Sequence, residues 1–303
     1  MLDLAVATQE ETFDRMGDPL ADRGITIHGI QPKERTFDLA RGEFEEFDAG
    51  FVYPSRIMEG AVIDARLSVP WVNDRGAVLT SRNKAGVLAT LEAAGVPVPE
   101  TVVVSDPITE RELREAFERF DPPVVVKPNS ATRGIGVTKV HDLDSFLGVC
   151  DYLDLVHDYR ATGDKAFLVQ EYLPEARDFR VMTIGGEYAG AVERRLPEPS
   201  RDIGGWKHNV HRGAKATGVN LGEAVPGTNQ DPRGLAERTA DALGIDWLGV
   251  DLLVSGDRAV VNETNARPTI DSETKYEPDF YDRLAGLIRD TVAGSGGCTP
   301  GDQ

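Results

Sequence analysis

Apolar positions in the first eighty residues alternate between strand and helix spacing. Residues 2–7 form an apolar run, Phe13, Met16 and Leu20 follow at helical spacing, and residues 25–30 return to a strand pattern. Two more short strands are expected at 51–53 and 69–72, separated by a helix over 57–65. This alternation predicts α/β packing and a small parallel-sheet domain. A helix is then expected with Ser81 as its N-cap, burying Val87, Leu88 and Leu91 and stopping at Gly95 before Pro97 and Pro99. After a strand at 101–104, Thr109 and Glu112 have capping-box spacing, and Leu113, Ala116, Phe117 and Phe120 line one helix face.

Val124, Val125 and Val126 read as a buried strand, residues 128–136 as a small polar loop, and 137–140 as the returning strand of a hairpin with a mobile tip. Strands are expected at 167–170, 179–184 and 188–193, and residues 201–213 as a basic, glycine-containing loop. Asp231 and Pro232 should start a helix that buries Leu235, Thr239, Ala242 and Leu243 and ends at Gly244. Strands at 249–254 and 259–264, a helix over 278–292 and a disordered tail at 295–303 complete the pattern.

Charge narrows the function. Across 303 residues, 51 acidic and 33 basic side chains leave a net charge of −18, which repels phosphate backbones and anionic membranes. No nucleic-acid or membrane partner is expected. No apolar run approaches the ~20 residues of a spanning helix, and the start lacks a signal-peptide pattern, so a cytoplasmic protein is expected. Cys150 and Cys298 are too few for a disulfide framework. The basic residues are 25 Arg and only 8 Lys, a balance that reads as a salt-adapted surface or as an ordinary acidic one. With lysine so scarce, each one invites a functional question.

The terminal hairpin carries the most chemistry. Glu263 and Asn265 lie two apart on a strand and share a face. Asp251 joins them if the register pairs it with Glu263, which requires an odd connection, most simply a three-residue tip at Gly256, Asp257 and Arg258. Three oxygen donors would then converge as ligands for Mg²⁺ or Mn²⁺. The alternative is a hairpin with a solvated polar face. Residues 176–216 hold eight basic against five acidic side chains, a local excess of cations suited to an anionic ligand or to surface ion pairs. Lys127 ends an apolar strand, so its ammonium must reach a cleft or an anion. The loop that follows, with Ser130, Gly134 and Gly136, could close over phosphates. It matches neither the P-loop nor the dinucleotide fingerprint.

In order, the segments SRNKAGVLATLEAAGVPVPET, VVVKPNSATRGIGV, LVQEYL, DFRV, VERR, WKHNVHRGAKA, LGVDLLV and VNETNARP resemble the ATP-grasp superfamily, and most nearly its RimK-type amino-acid ligases, the α-L-glutamate ligases. The resemblance covers about residues 80–290. It implies an ATP-grasp fold of α/β class: a pre-ATP-grasp domain at 1–80, a first lobe at 81–165, a second lobe at 166–294 and a tail at 295–303. By it, Lys84 and Lys127 would contact ATP phosphates, with Ser130, Gly134 and Gly136 in the covering loop. Gln170, Glu171 and Tyr172 would hold the adenine and Asp178 the ribose, while Lys207, His208 and Asn209 complete the nucleotide site. Asp251, Glu263 and Asn265 would bind two divalent ions. Arg212, Arg180 and Arg194 would bind the acyl phosphate or the carboxylate substrate.

The implied reaction is amide formation between a carboxylate and an amine through an acyl phosphate, adding an amino acid, with glutamate as one candidate, to a metabolite or a protein tail. A glutathione-synthase-like ligase of two small substrates and a non-catalytic ATP-binding regulator are the alternatives. Such ligases commonly form dimers or tetramers. The departures from the glutamate-ligase pattern fall at the substrate end: Gly213-Ala214 in place of paired glycines, and Ala266-Arg267-Pro268-Thr269 after Asn265. Arg267 could take a second substrate carboxylate or balance Asp271 and Glu273.

Overall fold

The computed structural model describes all residues except 34–35, 37, 40–45, 106–107, 132–133, 157–163, 198–205, 207–212, 226 and 296–303. The N-terminal apolar runs become β1 (Leu2–Val6), β2 (Ile25–Gly29), β3 (Ala49–Phe51) and β4 (Trp71–Val72), a parallel sheet in the order β2-β1-β3-β4. Helix α1 (Glu10–Ala21) buries Thr12, Met16 and Leu20, and α2 (Ile57–Leu67) connects β3 to β4. The strand order reverses between β1 and β3, and this is where an open α/β sheet leaves a crevice at its carboxyl edge.

Two helices follow where one was expected. Asp74 caps α3 (Arg75–Arg82), accepting from Ala77 N at 2.8 Å, and Asn83 caps α4 (Lys84–Ala93), accepting from Gly86 N at 3.0 Å. Ser81 is therefore not the N-cap: it ends α3 and accepts a hydrogen bond from Ala266 N at 2.9 Å. Asn83 wins because its side-chain oxygen accepts from the Gly86 N–H in the first turn of α4.

The second sheet is antiparallel, in the order β5-β8-β6-β7: β5 (Thr101–Ser105), β6 (Val124–Pro128), β7 (Thr138–Val140) and β8 (Ala166–Glu171). One face is covered by α5 (Glu110–Glu118), opened by the Thr109–Glu112 capping box, and by α6 (Leu143–Val156), which the sequence pattern had not singled out. The residues of β8, assigned from sequence to the second lobe, pair with β5 and β6, so this sheet extends to Glu171.

The largest sheet runs β11-β10-β9-β12-β13, with β14 on β10. Its strands are β9 (Arg177–Ile184), β10 (Glu187–Arg195), β11 (Lys215–Gly218), β12 (Trp247–Ser255), β13 (Arg258–Asn265) and β14 (Lys275–Tyr276). A short α7 (Leu221–Ala224) precedes α8 (Pro232–Leu243), which starts at the Asp231 cap and stops at Gly244 in the left-handed region, φ +61°. Helix α8 packs with α4 on one face. Helix α9 (Phe280–Ser295) joins Trp247 and the N-terminal sheet in a second core. No helix among the described residues is long and apolar enough to cross a membrane. The expected loop at 201–213, apart from Trp206 and Gly213, and the tail beyond Ser295 lie outside the described residues.

Candidate active site

Backbone register decides the site. Ser255 pairs with Arg258 across a two-residue turn, Gly256 (φ +61°) and Asp257, and Leu252 pairs with Val261. The next pair is Asp251 with Glu263, so Asn262 is an extra residue. The odd count therefore arises from a bulge at Asn262 and not from the expected three-residue tip. Without it, Asp251 would face Asn262. The bulge brings the two carboxylates together and turns the Asn262 amide toward the neighbouring sheet.

There Lys127 meets it. Its Nζ, buried at the end of β6, donates to Asn262 Oδ1 at 3.1 Å. Burial lowers the Lys127 pKa to about 8; Glu263 opposes that shift and Lys84 adds to it. Lys84, also buried, donates to Ala131 O at 2.5 Å and lies 3.2 Å from Glu263 Oε1. Two ammonium groups thus gather around one carboxylate, an arrangement that can receive phosphate oxygens.

A second cluster lies beside the first. Arg180 holds Asp251 bidentately, Nε to Oδ1 at 2.7 Å and Nη2 to Oδ2 at 2.8 Å. Arg194 reaches Asp251 Oδ2 at 2.9 Å and also bonds Asp178. Burial raises the Asp178 carboxyl pKa; Arg194 opposes the rise and Asp251 adds to it. For Asp251, burial also works upward, but Arg180 and Arg194 outweigh it and hold the group below the usual carboxylate range. Arg177 and Arg195, in contrast, simply pair with Glu193, at 2.8 and 2.6 Å, so part of the basic segment is ion pairing.

Lys127, Asp178, Arg194, Asp251, Asn262 and Glu263 line a cavity of about 170 Å³ between the second and third sheets. Val125 and Val137 stand on one side and Leu253 on the other, an apolar slot for a flat ring. Gln170, Glu171, Tyr172 and Leu173 close its back where the chain passes between sheets. Arg258 fixes Glu171 through two contacts, at 2.8 and 3.0 Å. Gly134 also lines the cavity, and Gly136 must be glycine: at φ +75°, a Cβ would stand 2.6 Å from Pro128 Cγ.

Of the residues singled out from sequence, Lys127, Gly134, Gln170, Glu171, Tyr172, Asp178, Arg194, Asp251 and Glu263 line this cavity. Lys84 joins through Glu263 and Arg180 through Asp251. Ser130, Gly136, Asn265 and Arg267 are not among the lining residues. Asn265 instead accepts from Arg267 N at 2.9 Å. Lys207, His208, Asn209 and Arg212 lie outside the described residues. The sequence reading passed over Asn262, Lys139 and Trp206. Lys139 Nζ sits 4.7 Å from the Tyr172 ring centre and 5.6 Å from that of Trp206, two rings that line the cavity. Lysine scarcity was the available signal for Lys139.

The pattern of the RimK-like ATP-grasp domain matches residues 81–281. The chain belongs to the RimK-like ATP-grasp family. Among curated relatives, a probable alpha-L-glutamate ligase of Pseudoalteromonas translucida is 30% identical over 234 residues, 76% of this chain and 70% of the relative. One of Klebsiella pneumoniae is 29% identical over 220 residues, 72% of this chain and 66% of the relative. The match thus spans about two thirds of these relatives' length. The crystal structure of a D-cycloserine synthetase superposes with a TM-score of 0.71 at 20% identity, covering 96% of this chain and 99% of that one. The fold is ATP-grasp, with a small parallel sheet joined to two antiparallel ones.

Proposed function

We propose that this RimK-like ATP-grasp protein is an ATP-dependent carboxylate–amine ligase, forming an amide through an acyl phosphate. The observation that carries this is a cavity lined by buried Lys127 together with Glu263 and Asp251, with a second buried lysine, Lys84, held against Glu263. Binding an uncharged ligand would not need that expensive arrangement of buried charge.

The adenine ring lies in the slot between Val125 and Leu253, against Gln170, Glu171 and Tyr172, with Asp178 toward the ribose. Lys84 and Lys127 hold the phosphates. Asp251 and Glu263 line the cavity and, with Asn265 by family resemblance, would give an oxygen-only donor set that suits Mg²⁺ or Mn²⁺; among the described residues, no three His, Cys, Asp or Glu side chains gather to offer another. Two such ions, when bound, neutralise phosphate charge during transfer. The cations now facing Asp251 and Glu263 mark where positive charge is accepted. Arg180 and Arg194, which now pair with these carboxylates, would face the acyl phosphate once the carboxylates held the ions, and Arg212 is assigned the same role by the family resemblance. The loop carrying Gly134 and Gly136 keeps water from that intermediate.

The relatives' names support an amino acid as one substrate, with glutamate the first candidate. The acidic surface supports assays at high potassium chloride. Glu263→Gln keeps the shape and removes the charge: ADP release should fall about a hundredfold or more. Unchanged ADP release would overturn the assignment of the metal site.

A further inference from the structure

A second cationic feature lies on the far side of the Glu263 strand, where the N-terminal sheet meets the largest sheet. Arg267 follows β13 and extends into the crevice between β1 and β3. Its Nη2 donates to Ala7 O at 2.6 Å, and its Nη1 donates to Tyr53 O and, at 3.4 Å, to Val52 O. These carbonyls lie at the carboxyl ends of the two strands that flank the reversal of strand order. Arg82, at the end of α3, donates to Ser55 O at 3.0 Å just beyond β3. Among the described residues neither arginine has a carboxylate partner, and Asp271 and Glu273 pair with neither. Balancing those two acids is thus not the role of Arg267.

The electrostatics are unfavourable as they stand. Burial, and after it the charge of Arg82, lower the Arg267 pKa to about 10; burial lowers that of Arg82 as well. A half-buried guanidinium offers five N–H donors, and the carbonyls engage only some of them. The surrounding backbone is also held in uncommon conformations. Val52 at φ +63° and Asn73 at φ +56° both end strands in the left-handed region, which is especially costly for a β-branched residue. Asn73 in turn donates to Ala266 O at 2.6 Å, fixing the residue before Arg267.

We infer that Arg82 and Arg267 form a carboxylate-binding site at the crevice between β1 and β3, which holds the non-reacting carboxylate of a small acid or amino-acid substrate. The inference rests on the ligase function proposed above and names the substrate class for that site. Arg267 lies four residues beyond Glu263, at most about 14 Å of extended chain. Arg82 lies two residues before Lys84, which contacts that same glutamate. Both arginines thus lie within a few residues of groups at the phosphate end of the cavity, and the bound substrate would extend from one site toward the other. Lysine at position 267 would lose the planar fork that bridges strand carbonyls and a carboxylate.

The test is calorimetric titration of the full chain, at high potassium chloride, with each of the twenty common amino acids, succinate and glutarate, and then with the amide of whichever binds. We expect at least one acid to bind, and to bind at least tenfold more weakly to Arg267→Lys and to Arg82→Gln, while ATP affinity stays within twofold of wild type. The amide of that acid should bind at least tenfold more weakly to the wild type. Arg82 makes a single backbone hydrogen bond, so Arg82→Gln reports on binding even if Arg267→Lys fails to fold. No binding by any acid, equal binding of acid and amide, or affinity unmoved by Arg82→Gln would overturn the site. Binding that depends on the arginines with no ATP turnover in any mixture would uphold this site and overturn the ligase function instead.

Discussion

Two groups of buried or half-buried cations flank the end of β13, and they are treated in opposite ways. In the cavity, Lys84 lies against Glu263, while Arg180 and Arg194 share Asp251 and Asp178. At the crevice, Arg82 and Arg267 donate, among the described residues, only to backbone carbonyls. A buried cation with a carboxylate partner is stable until a competitor arrives, and that competitor must bring both charges, as a metal with a nucleotide does. A buried cation lacking a carboxylate partner asks only for an anion. The two proposed sites would therefore take different ligands.

The comparison breaks most visibly at Arg194. Replacing it with Met leaves Asp178 and Asp251 close together without their shared cation, and should cost about 3–5 kcal/mol of stability by urea unfolding. A loss under 1 kcal/mol would mean that water already screens the pair. Next in size is the pH response of Lys127. Its folded pKa, about 8, lies below the ordinary 10.5, so the unfolded chain binds more protons between these values and the ligand-free protein should grow more stable as pH rises from 8 to 10.5. ATP affinity should move the other way, falling up to about tenfold per pH unit above 8 as the ammonium is lost. An affinity flat from pH 7 to 10 would remove Lys127 from the phosphate site. Gly136→Ala should cost about 1–3 kcal/mol through its φ and the Pro128 contact, read by thermal unfolding. The smallest effect sharpens the contrast: Arg82→Met should change stability by less than about 1 kcal/mol in either direction, since no carboxylate is stranded. A loss as large as that at Arg194 would erase the distinction.

How far the sequence carried depends on the range of the interaction. Local signals were legible: the Thr109–Glu112 box, the Asp231 cap and Gly244 stop, and the alternating elements of the N-terminal sheet. The carboxylate pairing was legible too, but the bulge that produces it was not, and the partner of Asn262 there is Lys127 from another sheet. Ser81 had the chemistry of a cap, yet it serves Ala266, 185 residues away. Helix α6 was readable from Phe146, Cys150 and Leu153 at helical spacing, with Asp142 accepting from Ser145 N at 2.8 Å. Arg82 carried no signal, since nothing local says that an arginine at a helix end will meet Arg267. The metal and substrate assignments come from residue type and family, and the geometry adds which charges face each other.

The most direct test of the central claim is ADP release in Mg²⁺ and high potassium chloride, across a panel of amino acids and small acids, with and without hydroxylamine. The two-site arrangement predicts that one acid triggers ADP release, that hydroxylamine increases it, and that the hydroxamate of that acid accumulates in step with ADP. ATP binding with no acid-dependent ADP release and no hydroxamate from any panel member would contradict it, leaving a nucleotide-binding fold without the ligase chemistry.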